Sequence, residues 1–167
     1  MMLRLVVCLA LTYVCAALNA NCPVHLVKNE YLQQYGSSCY EFVLDQADTW
    51  HYAQATCRAK GGHLVDIHTY GEEGFIYNAC QSLGFHGDKG VWIGLTDEVT
   101  EGIWEWTSGK PVTFNSWASG QPGMLSGSED CALLQYSEHG NWHDYPCDGN
   151  FLFGKESHGW ICEYEIA

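Results

Sequence analysis

The sequence predicts an α+β domain, and three observations carry that prediction. Residues 49–60 and 69–83 repeat their apolar side chains at helical spacing. From residue 91 onward the apolar residues fall instead into short runs between Gly, Pro, Asn and Ser clusters, which is strand patterning. Seven cysteines, Cys22, Cys39, Cys57, Cys80, Cys131, Cys147 and Cys162, are spread through the same region, enough to cross-link a domain of modest core.

The elements follow in chain order. Arg4, an apolar run from Leu5 to Leu18 and then Asn19-Ala20 have the order of a secretory signal peptide, so residues 1–20 are expected to be removed, leaving a single domain over 21–167. The apolar run is too short to span a bilayer, and no later run approaches that length. "SCYEFV" at 38–43 reads as a strand. In "TWHYAQATCRAK", Trp50, Ala53 and Cys57 share one helical face, with Thr49 as N-cap and Gly61-Gly62 as the stop. In "TYGEEGFIYNACQSL", Thr69 and Glu72 have capping-box spacing, and Ile76, Ala79, Cys80 and Leu83 form the inner face before Gly84. Strands are expected at 91–95, 103–107, 131–136 and 159–165. The aperiodic stretch 108–130 is long for a connection in a compact domain, and such loops are usually functional or disordered; Trp117, Pro122, Glu129 and Asp130 argue against disorder. No internal repeat, low-complexity segment or linker is present in 21–167.

Charge narrows the partners. The chain carries a net charge of −13, and loss of Arg4 with the leader makes it −14, which disfavours nucleic acid, whose affinity rests on Lys and Arg at phosphates. Cations are the complementary partner. In an oxidising compartment the seven cysteines read as three disulfides and one cysteine over, and none forms the paired C-x-x-C sets of a structural zinc site. No Asn-x-Ser/Thr acceptor for N-glycosylation occurs.

"CRAKGGHLVDIHTYGEEGF", "VWIGLTDEVTEGIWEWTSGKPVTFNSWASGQP", "EDCALL", "NWHDYPC" and "WICEYE" occur in one order and spacing that resembles the C-type lectin domain, over essentially all of 21–167. The resemblance implies that family's fold: two helices, small antiparallel sheets and a long metal-binding loop, stapled by disulfides Cys57–Cys162, Cys131–Cys147 and, as in the long form, Cys22–Cys39. Cys80 then has no partner. It is either a buried cysteine on the inner helix face, beside Ile76 and Leu83, or the link of a covalent homodimer.

The resemblance also implies a Ca²⁺ site between the long loop and a neighbouring strand, where sugar hydroxyls bind the same ion. Calcium takes about six to eight oxygen ligands. The matching positions are Gln121-Pro122-Gly123, Glu129, and His143-Asp144 after Trp142. Gln121, Glu129 and Asp144 offer oxygens, and Pro122 the bend, usually cis, that aims the loop. Gly123 stands where the family has Asn or Asp, and His143 where it has Asn, and an imidazole is a poor ligand for Ca²⁺. Three readings of the site stay open: weakened Ca²⁺ binding, a shift toward Zn²⁺ held by His143 with Glu129 and Asp144, or a site that has lost its function. Asp97, Glu101, Glu129 and Asp130 match an auxiliary Ca²⁺ site in part, with Met124 replacing an expected Asp. Four carboxylates gathered there would repel one another without a cation.

Gln121 at the first motif position is the galactose-type half of the donor-acceptor pattern, so the expected partner is a glycan of galactose-type or broad preference, contacted through Gln121, Glu129, His143 and Asp144. Trp117, Tyr136 and His139 could offer a stacking face to the sugar's apolar side, or could be packing. Trp50, Trp92, Trp104, Trp106 and Trp160 are expected in the core. The leading functional expectation is a secreted Ca²⁺-dependent lectin that recognises microbial surface glycans in innate immunity. The alternative is a structural family member that binds mineral or ice. No enzyme is expected, because His143 beside Asp144 lacks a nucleophile and Cys80 lacks a cationic neighbour.

Overall fold

The computed structural model describes residues 21–87, 89–123, 127–149 and 155–166; the expected leader at 1–20 and Met124 lie outside the described residues. Strand β1 (Leu32–Tyr35) and β2 (Ser38–Asp48) form a hairpin, followed by α1 (Trp50–Ala59), β3 (His63–Leu64), α2 (Tyr70–Ser82), β4 (Gly90–Thr96), β5 (Glu105–Trp106), β6 (Cys131–Gln135), a 3-10 turn (Tyr136–Glu138), β7 (Trp142–Tyr145) and β8 (His158–Glu165). The strands join in the order β1-β2-β8-β4-β6-β7, with β3 beside β8 and β5 beside β4. All pairs are antiparallel except β4 with β8, where Val91 faces Gly159 and Trp92 faces Trp160. That parallel contact joins the expected small sheets into one.

The helices form where the periodicity places them. Thr49 Oγ1 accepts from Tyr52 N at 3.3 Å, and Thr69 Oγ1 accepts from Glu72 N at 3.2 Å, each satisfying a first-turn amide. The Glu72 carboxylate reaches one residue beyond the cap, accepting from His68 N at 2.8 Å, while its other oxygen accepts from the Tyr40 hydroxyl at 2.7 Å.

Strand β4 is apolar from Gly90 to Leu95 because both faces of the sheet are covered there. Val91, Ile93 and Leu95 pack with Ile76, Ala79 and Cys80 of α2, whereas Trp92 packs with Trp50, Ala53 and Cys57 of α1. Strand β6 alternates likewise, Ala132 and Leu134 toward α2, Cys131 and Leu133 toward α1. Gly94 sits where a Cβ would meet Leu64 O at 2.6 Å, so glycine lets β4 pass the Leu64 backbone. Trp50, Trp92, Trp106 and Trp160 are buried as expected; Trp104 is half-buried.

The predicted strand 103–107 shrinks to two residues. Thr100–Ile103 close a turn, Gly102 has φ 77°, and Trp104 leaves the ladder to pack against Trp117 at 4.6 Å. Strands β1, β3 and β7 carry no apolar run of their own.

The disulfides are Cys22–Cys39, Cys57–Cys162 and Cys131–Cys147. Cys57–Cys162 spans 105 residues, for which loop-closure entropy in the unfolded chain corresponds to about 4–5 kcal/mol. Cys80 is fully buried on the inner face of α2, and burial pushes its thiol up to about 12. A covalent dimer through Cys80 has no surface thiol to use in this fold, and the buried reading of that cysteine holds. Among the described residues no helix is long and apolar enough to cross a membrane.

Candidate functional site

The long loop is pinned to β7. Trp142 N donates to Ser116 O at 2.8 Å, Ala118 N donates to Trp142 O at 3.0 Å, and Trp117 and Trp142 form a parallel bridge. Gln121 N then donates to Ala118 O at 2.9 Å, and the Gln121–Pro122 bond is cis. This turn brings Gln121, Glu129 and Asp144 together although 23 positions separate the outer two. A Cβ built on Gly123 would lie 3.4 Å from Gln121 Oε1, 3.4 Å from Glu129 Oε2 and 3.5 Å from Asp144 Oδ1. Three oxygens thus converge on the space that glycine leaves open. Gln121 Oε1 and Asp144 Oδ1 are shut off from solvent and accept no hydrogen bond among the described residues. Buried acceptors without donors are costly, and a hard cation is the ligand such oxygens fit.

The second Asp144 oxygen is held by the backbone: Gly123 N donates to Asp144 Oδ2 at 2.7 Å. The Gln121 amide is held by His143. Gln121 Nε2 lies 3.1 Å from His143 Nδ1, and since the amide nitrogen can only donate, Nδ1 accepts; Nε2 comes within 3.2 Å of Glu138 Oε2 without a hydrogen bond to it. This orientation turns Gln121 Oε1 toward Glu129 and Asp144. Among the described residues His143, Glu129 and Asp144 do not bring three ligand atoms within 4.8 Å of one another, so the expected Zn²⁺ set is not gathered, and His143 Nε2 is buried without a hydrogen-bond partner. His143 buttresses Gln121 instead. Glu138, on the 3-10 turn, is a neighbour of His143 that nothing in the sequence spacing marks.

The auxiliary acids are also gathered. Asp97 is 5% exposed; its Oδ2 accepts from Gly102 N at 2.8 Å, and its Oδ1 is buried with no hydrogen-bond partner among the described residues. Asp97 N donates to Asp130 O at 3.1 Å, which joins the two acidic segments, and Glu101 Oε2 reaches within 3.7 Å of a Cβ built on Gly127. Burial, and then the charge of Asp144, raise the carboxyl of Glu129. Burial, then the charges of Asp97 and Asp144, raise that of Asp130. Burial raises Asp97 too, reinforced by Glu101 and Asp144 and opposed by the Gly102 amide. These carboxylates repel one another in the absence of a cation. The expected Asp position occupied by Met124 lies outside the described residues.

Two of the three stacking candidates pack against other rings, and the third, His139, is exposed. Trp117 packs edge-on against Trp104 and Trp142, Tyr136 stacks on Tyr77 at 4.9 Å, and His139 lies against Tyr77 at 6.4 Å.

Comparison with known proteins is consistent with this geometry. The family model "Lectin C-type domain" matches residues 46–164. Mouse (Mus musculus) C-type lectin domain family 4 member E is 36% identical over 135 residues, 78% of this chain and 57% of that protein, so the chain spans little more than half of this relative's length. The mouse scavenger receptor C-type lectin carbohydrate-recognition domain is 33% identical at a TM-score of 0.68, covering 82% of this chain and 95% of that one. A calcium-independent type II antifreeze protein is 29% identical at a TM-score of 0.69, covering 87% and 100%. The family match, the pairing of six cysteines and the oxygens converging at Gly123 lead to one conclusion: this chain belongs to the C-type lectin domain family.

Proposed function

We propose that this chain is a secreted, non-catalytic, Ca²⁺-dependent carbohydrate-binding protein, released after loss of residues 1–20, that recognises glycans of galactose-type or broad preference, microbial surface glycans among them. The observation that carries the reading is the convergence of Gln121 Oε1, Glu129 Oε2 and Asp144 Oδ1 at Gly123, with two of the three lacking donors. Gln121, Glu129 and Asp144 would hold the principal ion, and Asp97, Glu101, Asp130 and Glu129 an auxiliary one. Bound Ca²⁺ supplies open coordination for sugar hydroxyls. Gly123 contributes no ligand, so affinity for both ion and sugar is expected to be modest. Calorimetric titration of Ca²⁺ followed by galactose and mannose tests this. Glu129→Gln and Asp144→Asn should each weaken Ca²⁺ on the order of tenfold or more and remove sugar binding. Sugar binding that persists in EDTA would sink the calcium mechanism.

A second reading has support of its own. The resemblance to a calcium-independent antifreeze protein, together with the missing side chain at Gly123 and an imidazole, His143, at a position expected to supply an oxygen, favours a family member that binds mineral or ice. Adsorption to calcium carbonate or ice, unaffected by EDTA and by sugars, would support it. Sugar-competed binding would reject it.

A further inference from the structure

Strand β1 lies at the edge of the sheet, paired only with β2 among the described residues. Its sequence, LQQY, carries none of the Lys, Pro or bulge that usually blunts an edge. Phe42 N donates to Tyr31 O at 2.8 Å, and bonded pairs alternate along an antiparallel ladder, so Gln33 and Tyr35 bond to β2 while Leu32 and Gln34 turn their backbone groups outward. Leu32 N is taken by Asn29 O at 3.2 Å. The N–H and C=O of Gln34 face away from the sheet.

Helix α2 stands beside this edge. Tyr35 stacks on Phe75 at 4.7 Å, and its hydroxyl oxygen lies 2.9 Å from a Cβ built on Gly71. Tyr70, Gly71, Gly74 and Phe75 share one face of α2 by their i, i+3 and i+4 spacing. Tyr70 is 77% exposed and Tyr35 40%, which leaves roughly 200–300 Å² of aromatic surface open per copy, about half of the roughly 500 Å² per partner that a small specific interface needs. Gly71 is explained within the chain, since a side chain there would strike Tyr35. Gly74 has no such reason: its backbone is helical, a Cβ would meet nothing within 4 Å, and glycine is a poor helix former. Close approach of a backbone from outside accounts for it. The face is also neutral in a chain of net charge −13, and Glu72 on the same helix is tied to Tyr40 and His68. Two copies of so acidic a chain meet with least repulsion through such a face.

We propose that two copies of this chain associate non-covalently about a two-fold axis beside Gln34, with β1 pairing antiparallel to β1 of the second copy and the Tyr70 and Gly74 faces of the two α2 helices packed together. The axis lets the Gln34 N–H and C=O exchange bonds with their counterparts, and every contact is made twice, as in an isologous interface. Cys80, buried on the other side of α2, takes no part. The pair carries two long loops, which strengthens weak binding to repeated ligands.

Sedimentation equilibrium of the folded, oxidised chain in EDTA, from about 1 µM to about 1 mM, is the test. The mass should rise from one chain toward two, unchanged by galactose or mannose, which separates this association from the loop and its sugar. Gly74→Glu favours the helix but puts a charge in the open space, and Gln34→Pro removes the outward donor without removing a β1–β2 bond. Each should raise the dissociation constant on the order of tenfold or more, with the monomer's near-ultraviolet circular dichroism retained. A single-chain mass over the whole range would overturn the proposal, as would association that sugar abolishes or that either folded variant leaves unchanged. If one variant fails to fold, the other decides.

Discussion

Gly123 is the residue on which the loop turns. Its backbone amide holds Asp144 Oδ2, and its missing side chain leaves the three facing oxygens 3.4–3.5 Å from the Cβ position. Those are ordinary contact distances for a Cβ, and the carboxylate of Gly123→Asp would extend from it among acids that already repel one another. The variant should melt lower without Ca²⁺ and bind Ca²⁺ about tenfold more tightly, measured by calorimetry and thermal unfolding with and without the ion. His143 makes a different prediction. Because it orients the Gln121 amide, His143→Ala should weaken Ca²⁺ about threefold to tenfold, less than Asp144→Asn, and leave the melting temperature in EDTA nearly unchanged. Equal losses from the two substitutions would show His143 to be a ligand.

At the scale of elements, the caps and faces of α1 and α2 were legible because they are local: Thr49 and Thr69 lie within three residues of the amides they accept from. Thr69→Ala should cost about 1 kcal/mol, lowering the melting temperature by roughly 2–4 °C. A loss much above this would mean that the Glu72 contacts to His68 and Tyr40 fail with the cap. Strands β4, β6 and β8 were legible as apolar runs, since both faces of their sheet are covered. Strand β7 was not. In "NWHDY" only Trp142 is an apolar core residue, and the other inward position holds the buried carboxylate Asp144. Strands β1 and β3 escaped notice for a related reason: four and two residues paired at the sheet margin need no apolar run of their own.

At the scale of the molecule, the acidic balance becomes a statement about stability. The carboxyls of Asp97, Glu129 and Asp130 are raised above their ordinary values of 3.8 for Asp and 4.5 for Glu. A carboxyl raised in the folded state holds its proton over a range where the unfolded chain has lost it. Without a cation, these groups therefore make stability fall as pH rises from about 4 through the raised values. Ca²⁺ bound to the ionised acids opposes that loss, and protons compete with it as pH falls. Saturating Ca²⁺, at about a hundred times its Kd, should add about 2.7 kcal/mol at about pH 7, a rise of roughly 5–10 °C, shrinking steadily toward about pH 4. A gain that grows on acidification would contradict this electrostatic account of the loop.

The sequence by itself determined the fold class, the two helices with their caps, the identity of the loop and the acids in it, because each rests on local spacing or on a motif read in order. Tertiary structure decided what those residues do to one another. It set His143 Nδ1 against the Gln121 amide, buried Cys80 on the inner face of α2, and packed Trp117 and Tyr136 against other rings. It also brought Asp66 to Glu163, 97 positions away, beside His63 and His68. No local pattern encodes such a meeting. It follows from β3 and β8 pairing across the sheet, a contact set by the burial of both sheet faces and by the Cys57–Cys162 bridge.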